Sequence, residues 1–166
     1  MSILFKISDG LDKMSGKLFA AFVMTLLLSG CILDDVTGPS GTPVDFTEVD
    51  SGQYSKLSYP ADNYTFSDNV AFGAFYNELV CSMFAPCTVP DVDFSTKMVL
   101  AVVMGERTSG GYSIDIKEIL VKGGALTVVV KSRSPAPGEI VTLALTNPYD
   151  IVSIDRTELP IGFYYE

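Results

Sequence analysis

The sequence contains no histidine and no tryptophan among its 166 residues. Without histidine the chain cannot build a Ser-His-Asp triad, a Cys-His dyad or an HExxH zinc site, because each of these needs an imidazole. Basic residues are scarce: 11 lysines and arginines stand against 20 aspartates and glutamates, for a net charge of −9. Phosphate binding needs clustered positive charge, so this balance argues against a nucleic-acid partner. The apolar share of 48% is too high for a disordered chain.

The sequence also lacks the common catalytic motifs. It has no GxSxG, no SxxK, no phosphate-binding loop and no dinucleotide-binding fingerprint. Asp91 and Asp93 could supply calcium ligands. Their spacing of two, without a glycine-containing loop, is more typical of a strand entry in which Asp93 caps a turn. We therefore predict a protein that is not an enzyme and that uses no cofactor and no metal. A carboxylate-based hydrolase stays open as an alternative, ranked third after the two binding functions described below.

The first thirty residues predict an export signal. Lys13 and Lys17 precede an apolar stretch of eleven residues, Leu18 to Leu28, which is shorter than the about 20 residues that span a bilayer and fits a signal peptide. Leu28-Ser29-Gly30-Cys31 then matches the lipobox of bacterial lipoproteins, in which the cysteine is acylated after cleavage. A start at Met14 instead of Met1 would give a more regular signal. An ordinary cleaved signal and an uncleaved anchor helix are the alternatives.

This pattern predicts the domain organisation and the location of the protein. Residues 1–30 are the signal peptide, 31–44 a lipidated tether rich in glycine and proline, and 45–166 one folded domain. The tether spans about 20 Å as a flexible coil. We expect a protein bound to the bacterial cell envelope by fatty acids, such as palmitate, on Cys31, and Ile32 after it favours the outer membrane in a Gram-negative host.

The two other cysteines predict a disulfide. Cys81 and Cys87 are an even pair in an exported chain, which is typical of one disulfide in an oxidising compartment. A two-thiol metal site and a redox pair are the alternatives, and the pair lacks the CxxC spacing that either would favour.

The pattern of apolar residues predicts an α+β fold. Ser67 is a candidate N-cap, and Asp68 to Val80 has aromatic and aliphatic residues at helical spacing. Met98 to Met104 is apolar on both faces, which is typical of a central strand covered on both sides, once by the helix. Further strands follow at hairpin spacing, near residues 112–117, 126–131, 141–145, 149–154 and 161–165. We predict a mainly antiparallel meander, as an open sandwich or partial barrel, with one helix packed on the sheet.

Several short motifs in this region resemble one family. The motifs, in order, are Val92-Asp93-Phe94-Ser95, Met98-Val99-Leu100-Ala101-Val102, Gly105-Glu106-Arg107, Gly110-Gly111-Tyr112, Ser134-Pro135 and Thr146-Asn147-Pro148-Tyr149. Over roughly residues 90–155 the chain is similar to the PrcB C-terminal domain family of bacterial, commonly lipid-anchored proteins. Many members have histidine after the Pro-Tyr pair, where this chain has Asp150. The resemblance implies an accessory subunit that assembles, stabilises or regulates a secreted or surface protease.

The loop from Gly105 to Gly111 is the main candidate for a binding site. Gly110 and Gly111 permit positive φ and the close approach of another backbone, although a long hairpin turn would also explain them. If all predicted strands form a meander, this loop lies at one end of the sheet with all three arginines of the chain. Arginine suits partner carboxylates and aromatic faces, whereas solvated arginines beside acidic neighbours are the alternative. The candidate partner-binding residues are Arg107, Thr108, Ser109, Gly110, Gly111, Tyr112, Arg133 and Arg156.

Two other functions stay open. A module of the envelope that binds a peptide or small ligand would be favoured by a deep apolar pocket with convergent polar groups. Direct protease inhibition by glycine-rich and Pro-aromatic loops is disfavoured, because strand parity places Asn147-Pro148-Tyr149 at the end opposite Gly105–Gly111.

Overall fold

The computed structural model describes residues 38–83 and 86–166. The predicted signal peptide, the lipidation site Cys31 and the first part of the predicted tether lie outside these residues. The described chain contains eight strands, β1 to β8, and a helix, α1, that continues into a π-helical turn. In chain order they are β1 Thr42–Pro43, β2 Thr47–Gly52, β3 Asp62–Phe66, α1 Asn69–Tyr76, the π-helical turn Asn77–Cys81, β4 Lys97–Val103, β5 Ser113–Lys122, β6 Ala125–Arg133, β7 Tyr149–Asp155 and β8 Ile161–Tyr165. Among the described residues no helix is long and apolar enough to cross a membrane.

The strands form two sheets of four, which confirms the predicted α+β class and the open sandwich. Sheet I has the order β2-β7-β4-β3, and sheet II has the order β1-β5-β6-β8. All pairs are antiparallel except β6 and β8, which are parallel. The connections differ from a simple meander, because the chain crosses from β4 in sheet I to the β5–β6 hairpin in sheet II and then returns to sheet I as β7.

Strand β4 is buried on both faces, as its apolar sequence predicts. Val99 and Ala101 face α1 in one core cluster, whereas Leu100 and Val102 face sheet II in a second cluster. The helix therefore covers sheet I on one side and sheet II covers it on the other. Each alternate side chain of a strand points to the opposite face, so one strand supplies both cores.

Helix α1 begins one residue later than predicted. The carboxylate of Asp68 accepts hydrogen bonds from the backbone N–H groups of Val70, at 3.0 Å, and Ala71, at 2.8 Å. Asp68 is therefore the N-cap, and the assignment of Ser67 to this position is wrong. A carboxylate at the cap satisfies two free amides and also interacts favourably with the helix dipole.

The far end of the helical segment is fixed to the rest of the domain. Cys81 and Cys87 form the predicted disulfide, with their Cα atoms 5.2 Å apart. Tyr76 and Tyr149 both donate hydrogen bonds to Asp50 Oδ2, at 2.7 and 2.9 Å, which joins α1 to β7 and β2. Burial, together with the bond to Asp50, raises the pKa of both phenols.

The predicted strand at residues 141–145 is wrong. This stretch belongs to a loop between β6 and β7, and an isolated bridge between Arg107 and Thr146 follows directly after it. Pro135, Pro137 and Gly138 precede it, and proline cannot donate to a ladder. The alternating apolar residues of the stretch therefore do not enter a sheet.

Candidate functional site

Two loops meet at one end of the sandwich, which we call the loop end. The first loop, residues 104–112, joins β4 to β5, and the second, residues 134–148, joins β6 to β7. Arg107 and Thr146 exchange two backbone hydrogen bonds, at 2.7 and 3.0 Å, and the N–H of Gly110 donates to the carbonyl of Thr142 at 2.9 Å. The Met104 N–H donates to the Pro148 carbonyl at 2.8 Å. The two loops thus form one hydrogen-bonded layer over the end of the core.

The glycine pair of the first loop allows the second loop to approach closely. A Cβ atom on Gly110 would lie 2.3 Å from Thr142 Oγ1. A Cβ atom on Gly111, which has a φ of +83°, would lie 2.7 Å from Val141 Cγ1. A close approach is present at this pair, and the groups that approach are the side chains of Thr142 and Val141 in the protein itself. The two glycines are therefore needed for the shape of the loop end.

Thr108 and Ser109 lie in the first loop, before the glycine pair, and Ser109 takes part in the hydrogen bonds between the two loops. The hydroxyl of Thr146 donates to the Ser109 carbonyl at 2.8 Å, and the Ser109 hydroxyl lies 3.1 Å from the Gly110 carbonyl. Thr108 is exposed at the tip of the loop. Of Thr108 and Ser109, Thr108 has the side chain that a partner can reach.

Arg107 and Arg133 both lie at the loop end, and each one holds a loop. Arg107 Nη2 donates to the Met104 carbonyl at 2.8 Å, and its guanidinium carbon lies 5.8 Å from the centre of the Tyr112 ring. Arg133 donates to the carbonyl of Gly111 at 2.5 Å and forms a 2.6 Å salt bridge with Glu139. The hydrogen bond from Arg133 lowers the pKa of Glu139. Both arginines therefore lie at the loop end and bind groups of the loops there.

Arg156 lies at the other end of the sandwich, so the prediction that all three arginines gather is wrong. β4 and β7 are antiparallel, and Lys97 at the start of β4 pairs with Asp155 at the end of β7. Arg156 Nη1 donates to the carbonyls of Phe94, at 2.9 Å, and Ser67, at 3.0 Å. The error comes from residues 141–145: without a strand there, β7 begins at the loop end and finishes opposite to it.

Asn147-Pro148-Tyr149 lies at the loop end, because residues 141–145 do not form a strand. The prediction that this segment lies at the end opposite Gly105–Gly111 is therefore wrong. The residues of the segment are buried, and Asn147 is 0% exposed. Its Nδ2 donates to the carbonyls of Lys56 and Tyr59, at 2.9 and 3.1 Å, and its own carbonyl accepts from the Ser55 hydroxyl at 2.8 Å. The segment therefore supports the fold and is not presented to a protease.

The sequence analysis missed the most exposed apolar residues of the domain. Ile140 is 99% and Leu143 98% exposed, and Leu145 is 48% exposed. All three lie on the second loop, which the Arg133–Glu139 salt bridge holds at its base. The sequence pattern places Leu143 and Leu145 in a predicted strand with Val141, and the loop became apparent only from the structure. Exposed apolar side chains on a well-held loop are typical of a protein-binding surface.

A cleft of about 550 Å³ opens next to this surface, between the two sheets. Val103, Met104 and Ile114 form its apolar floor. The rim consists of Ala61 and of the polar or aromatic residues Asp62, Asn63, Arg107, Tyr112, Ser132, Ser134 and Tyr165. Tyr165, on β8, donates a hydrogen bond to Asn63, on β3, so the outermost strands of the two sheets meet beside the cleft. The lining is mixed, in contrast to the deep apolar pocket that would favour a small-ligand module.

Comparison with protein families identifies the segment that forms this end of the molecule. Residues 98–155 match the family model described as PrcB C-terminal. This segment is similar to the PrcB C-terminal family. The resemblance seen in the sequence motifs is thereby confirmed. No curated protein and no solved structure shows a significant match to the chain.

The PrcB C-terminal segment begins in β4 and ends with β7, so it contains both loops of the loop end. Strands β1, β2, β3 and β8 and helix α1 lie outside the matched residues. In this protein they complete both sheets and cover sheet I.

Asp150 directly follows Pro148-Tyr149 and lies in β7 of sheet I. It is 6% exposed, and its Oδ2 accepts a 2.6 Å hydrogen bond from the backbone N–H of Ile116 in the opposite sheet. Burial raises its pKa to about 6, and the negative charges of Glu48 and Asp115 add to the effect. The carboxylate of Asp150 thus connects sheet I to sheet II.

Asp91 and Asp93 do not converge on a cation site. Asp93 Oδ1 accepts hydrogen bonds from the backbone N–H of Ser95 at 3.0 Å and from its hydroxyl at 2.5 Å, as in a capped turn. These bonds lower the pKa of Asp93. Within residues 38–83 and 86–166, no group of three cysteine, aspartate or glutamate side chains is placed to hold a metal ion.

Proposed function

We propose that the protein is a lipid-anchored, non-catalytic accessory protein that binds, and thereby stabilises or regulates, a secreted or surface protease complex through its loop end. Its segment 98–155 is similar to a family whose name links it to such a complex. The observation that carries the proposal is the exposure of Ile140 and Leu143, at 99% and 98%, on a loop held by hydrogen bonds and a salt bridge.

The position of the N-terminal chain supports this use of the loop end. Thr42 and Pro43 pair with Val121 and Leu120, and Lys122 donates to Ser40 at 2.9 Å. The chain therefore enters the domain beside the turn between β5 and β6. β5 is ten residues long, so the loop end lies about 30 Å away at a rise of about 3.3 Å per residue. With an anchor at Cys31, the loop end can face a protein partner while the opposite end faces the bilayer.

Arg107 and Arg133 contribute to this surface in a different way from that predicted. Both guanidinium groups bind carbonyls of their own loops, and Arg133 also pairs with Glu139. A partner would meet the apolar tips that these arginines hold in place, and Thr108 beside them. Preorganised loops lose little conformational entropy when they bind.

Crosslinking in the native envelope tests the partner. The full-length protein is crosslinked in cells, purified, and its adducts are identified by mass spectrometry. We expect a protease subunit among the adducts and expect the double variant I140S/L143S to reduce its yield by about tenfold, the effect of losing about 1.4 kcal/mol of binding free energy. Val70→Ser is the matched control, because Val70 is 83% exposed on the N-terminal turn of α1.

Two outcomes would contradict the proposed partner. One is a protease yield that is the same in the double variant and in wild type. The other is a set of adducts without a protease subunit.

Metabolic labelling tests the anchor separately. We expect labelled palmitate on the wild-type protein and expect Cys31→Ser to abolish the label and release the protein from the membrane fraction. If Cys31→Ser retains the label, the lipid is attached elsewhere and this part of the proposal is wrong. In a Gram-negative host we expect the label in the outer-membrane fraction.

A further inference from the structure

The edges of the two sheets are protected to different degrees. β1, at one edge of sheet II, is two residues long and contains Pro43. β2, at one edge of sheet I, has a register shift between Glu48 and Asp50 and carries both of these charges. Short length, proline, bulges and charges are the devices that prevent an edge strand from pairing with another chain. Edges with these features are poor docking sites.

β8, at the other edge of sheet II, has none of these features. Its sequence, Ile-Gly-Phe-Tyr-Tyr from Ile161 to Tyr165, contains no proline and no charged residue. Its pairing with β6 is in continuous register from Ile161 to Tyr165. In the described part of the chain no strand covers its outer side. Of the edge strands, β3 also remains accessible, but it begins with the charged residue Asp62.

The hydrogen bonds to β6 show which backbone groups of β8 point outward. The N–H of Leu126 donates to the carbonyl of Pro160, and the N–H of Glu166 donates to the carbonyl of Val130, at 2.9 and 3.0 Å. In a parallel pair, alternate residues of a strand bond to the same neighbour. The even-numbered residues of β8 therefore face β6, and the N–H and C=O groups of Ile161, Phe163 and Tyr165 face away from it.

The cleft described above lies beside Tyr165, at the C-terminal end of this edge. Tyr165 belongs to its rim, and Met104 and Ile114 lie in its floor. A strand added to β8 would direct alternate side chains toward the cleft. Addition of a strand gives affinity through the backbone, and a pocket for alternate side chains gives specificity.

We propose that β8 is a docking edge for an extended, basic segment of the partner protein, which pairs with Ile161, Phe163 and Tyr165 and places apolar side chains in the neighbouring cleft. The charge of the chain selects this occupant. The protein carries a net charge of −9, and the cleft lining holds one acidic residue, Asp62, and one basic residue, Arg107. A second copy of the chain would bring like charges together, whereas lysine or arginine in a partner segment would be attracted. The inference rests on the proposed function in one respect, namely that the ligand is a polypeptide.

Hydrogen exchange on the full-length protein in detergent tests the edge directly. In the free protein we expect fast exchange at the amides of Phe163 and Tyr165 and slow exchange at those of Gly162 and Tyr164. The probe is a short synthetic peptide in which lysine and valine alternate. We expect it to slow exchange at Phe163 and Tyr165, and expect the counterpart with glutamate in place of lysine to bind about tenfold more weakly.

A pair of variants at one position separates the backbone from the side chain. Tyr165→Pro removes the outward N–H and leaves the bonds of the even-numbered residues to β6, so the strand is retained. Tyr165→Phe keeps this N–H and removes only the hydroxyl that contacts Asn63. We expect Tyr165→Pro to weaken binding of the lysine-valine peptide about tenfold and Tyr165→Phe to bind it as wild type does. Slow exchange at Gly162 and Tyr164 in Tyr165→Pro shows that β8 is still formed.

Three results would overturn the inference. The first is equal exchange at all amides of β8 in the free protein. The second is peptide binding that leaves exchange at Phe163 and Tyr165 unchanged or that survives in Tyr165→Pro. The third is concentration-dependent dimerisation that Tyr165→Pro abolishes, which would make a second copy the occupant. Loss of the protease adduct in I140S/L143S, with full retention in Tyr165→Pro, would uphold the proposed function while refuting the edge.

Discussion

The carboxylate of Asp150 in sheet I accepts a hydrogen bond from the backbone N–H of Ile116 in sheet II, at 2.6 Å. Ile116 precedes a register shift in β5, where Lys117 has no partner in β6. The bond thus satisfies an amide at an irregular point of the ladder and joins the two sheets. It places an ionisable group in the core, so this contact should be sensitive to pH.

Stability should depend on pH through Asp150. Its pKa is raised to about 6 in the folded protein against an ordinary value of 3.8, so the folded state binds a proton more tightly than the unfolded state. The resulting stabilisation is present below about pH 4 and is lost as the pH rises through about 6. From about pH 4 to about pH 7.5, we expect wild type to lose about 2 kcal/mol of unfolding free energy relative to Asp150→Asn.

Urea unfolding of both proteins across this range measures that difference. Asp45→Asn, at an exposed position, is the control. We expect the difference in unfolding free energy between this variant and wild type to stay constant across the pH range. A difference between wild type and Asp150→Asn that does not change with pH would show that the buried carboxyl does not titrate in this range.

Gly111 should tolerate alanine less well than Gly124. The two residues have almost the same φ, +83° and +79°, so the cost of a positive φ is shared, at about 1–2 kcal/mol. A Cβ atom at position 111 would lie 2.7 Å from Val141 Cγ1, whereas position 124 is open. We expect Gly111→Ala to cost about 1–3 kcal/mol more than Gly124→Ala, because it overpacks the loop contact. Thermal unfolding measures both, and equal losses would mean that the second loop moves away freely.

Removal of the Asn147 side chain should be strongly destabilising. Its Nδ2 bonds the carbonyls of Lys56 and Tyr59 at a fully buried position. Asn147→Ala leaves the Tyr59 carbonyl without this partner and leaves the Lys56 carbonyl only the bond from the Tyr59 N–H, at 3.0 Å. We expect a loss of about 2 kcal/mol in denaturant unfolding. Asn77→Ala is the control, because exposed Asn77 also bonds a carbonyl, that of Gly73, at 2.8 Å. A similar loss in both variants would contradict the role of burial.

The disulfide should contribute modestly to stability. Cys81 and Cys87 close a short loop after the helical segment, with a separation of six in sequence numbering. The chain-entropy model gives about 2 kcal/mol for a loop of this size. We expect the double variant C81S/C87S to lose about this amount in urea unfolding and to keep its fold. No change in stability would indicate that the unfolded chain already holds these residues close together.

The elements that the sequence predicts well are those with continuous burial. β4 has an unbroken apolar sequence because both of its faces are covered, and α1 has aromatic residues at helical spacing because one face packs on sheet I. β2 and β3 were not predicted, since they are exposed edge strands with polar sequences. The stretch 141–145 has the alternation of a strand but contacts only a loop distant in sequence, and no local pattern reveals such a contact.

The candidate site shows the same limit. The role of the glycine pair follows from local conformational preference. The position of Arg107 and Arg133 at the same end of the sandwich follows from the β5–β6 hairpin. The predicted position of Arg156 depends on the number of strands before it. Because residues 141–145 do not form a strand, the prediction placed Arg156 at the loop end instead of the opposite end. The exposure of Ile140 and Leu143 depends on tertiary structure alone, because residues 141–145 have the sequence pattern of a strand.

A single strand, β4, supplies side chains to both core clusters, with Val99 on one side and Leu100 on the other. Neither half of the domain can lose its packing without disturbing the backbone that the other half uses. Heating should therefore melt helix and sandwich together, in one calorimetric transition whose van't Hoff and calorimetric enthalpies agree.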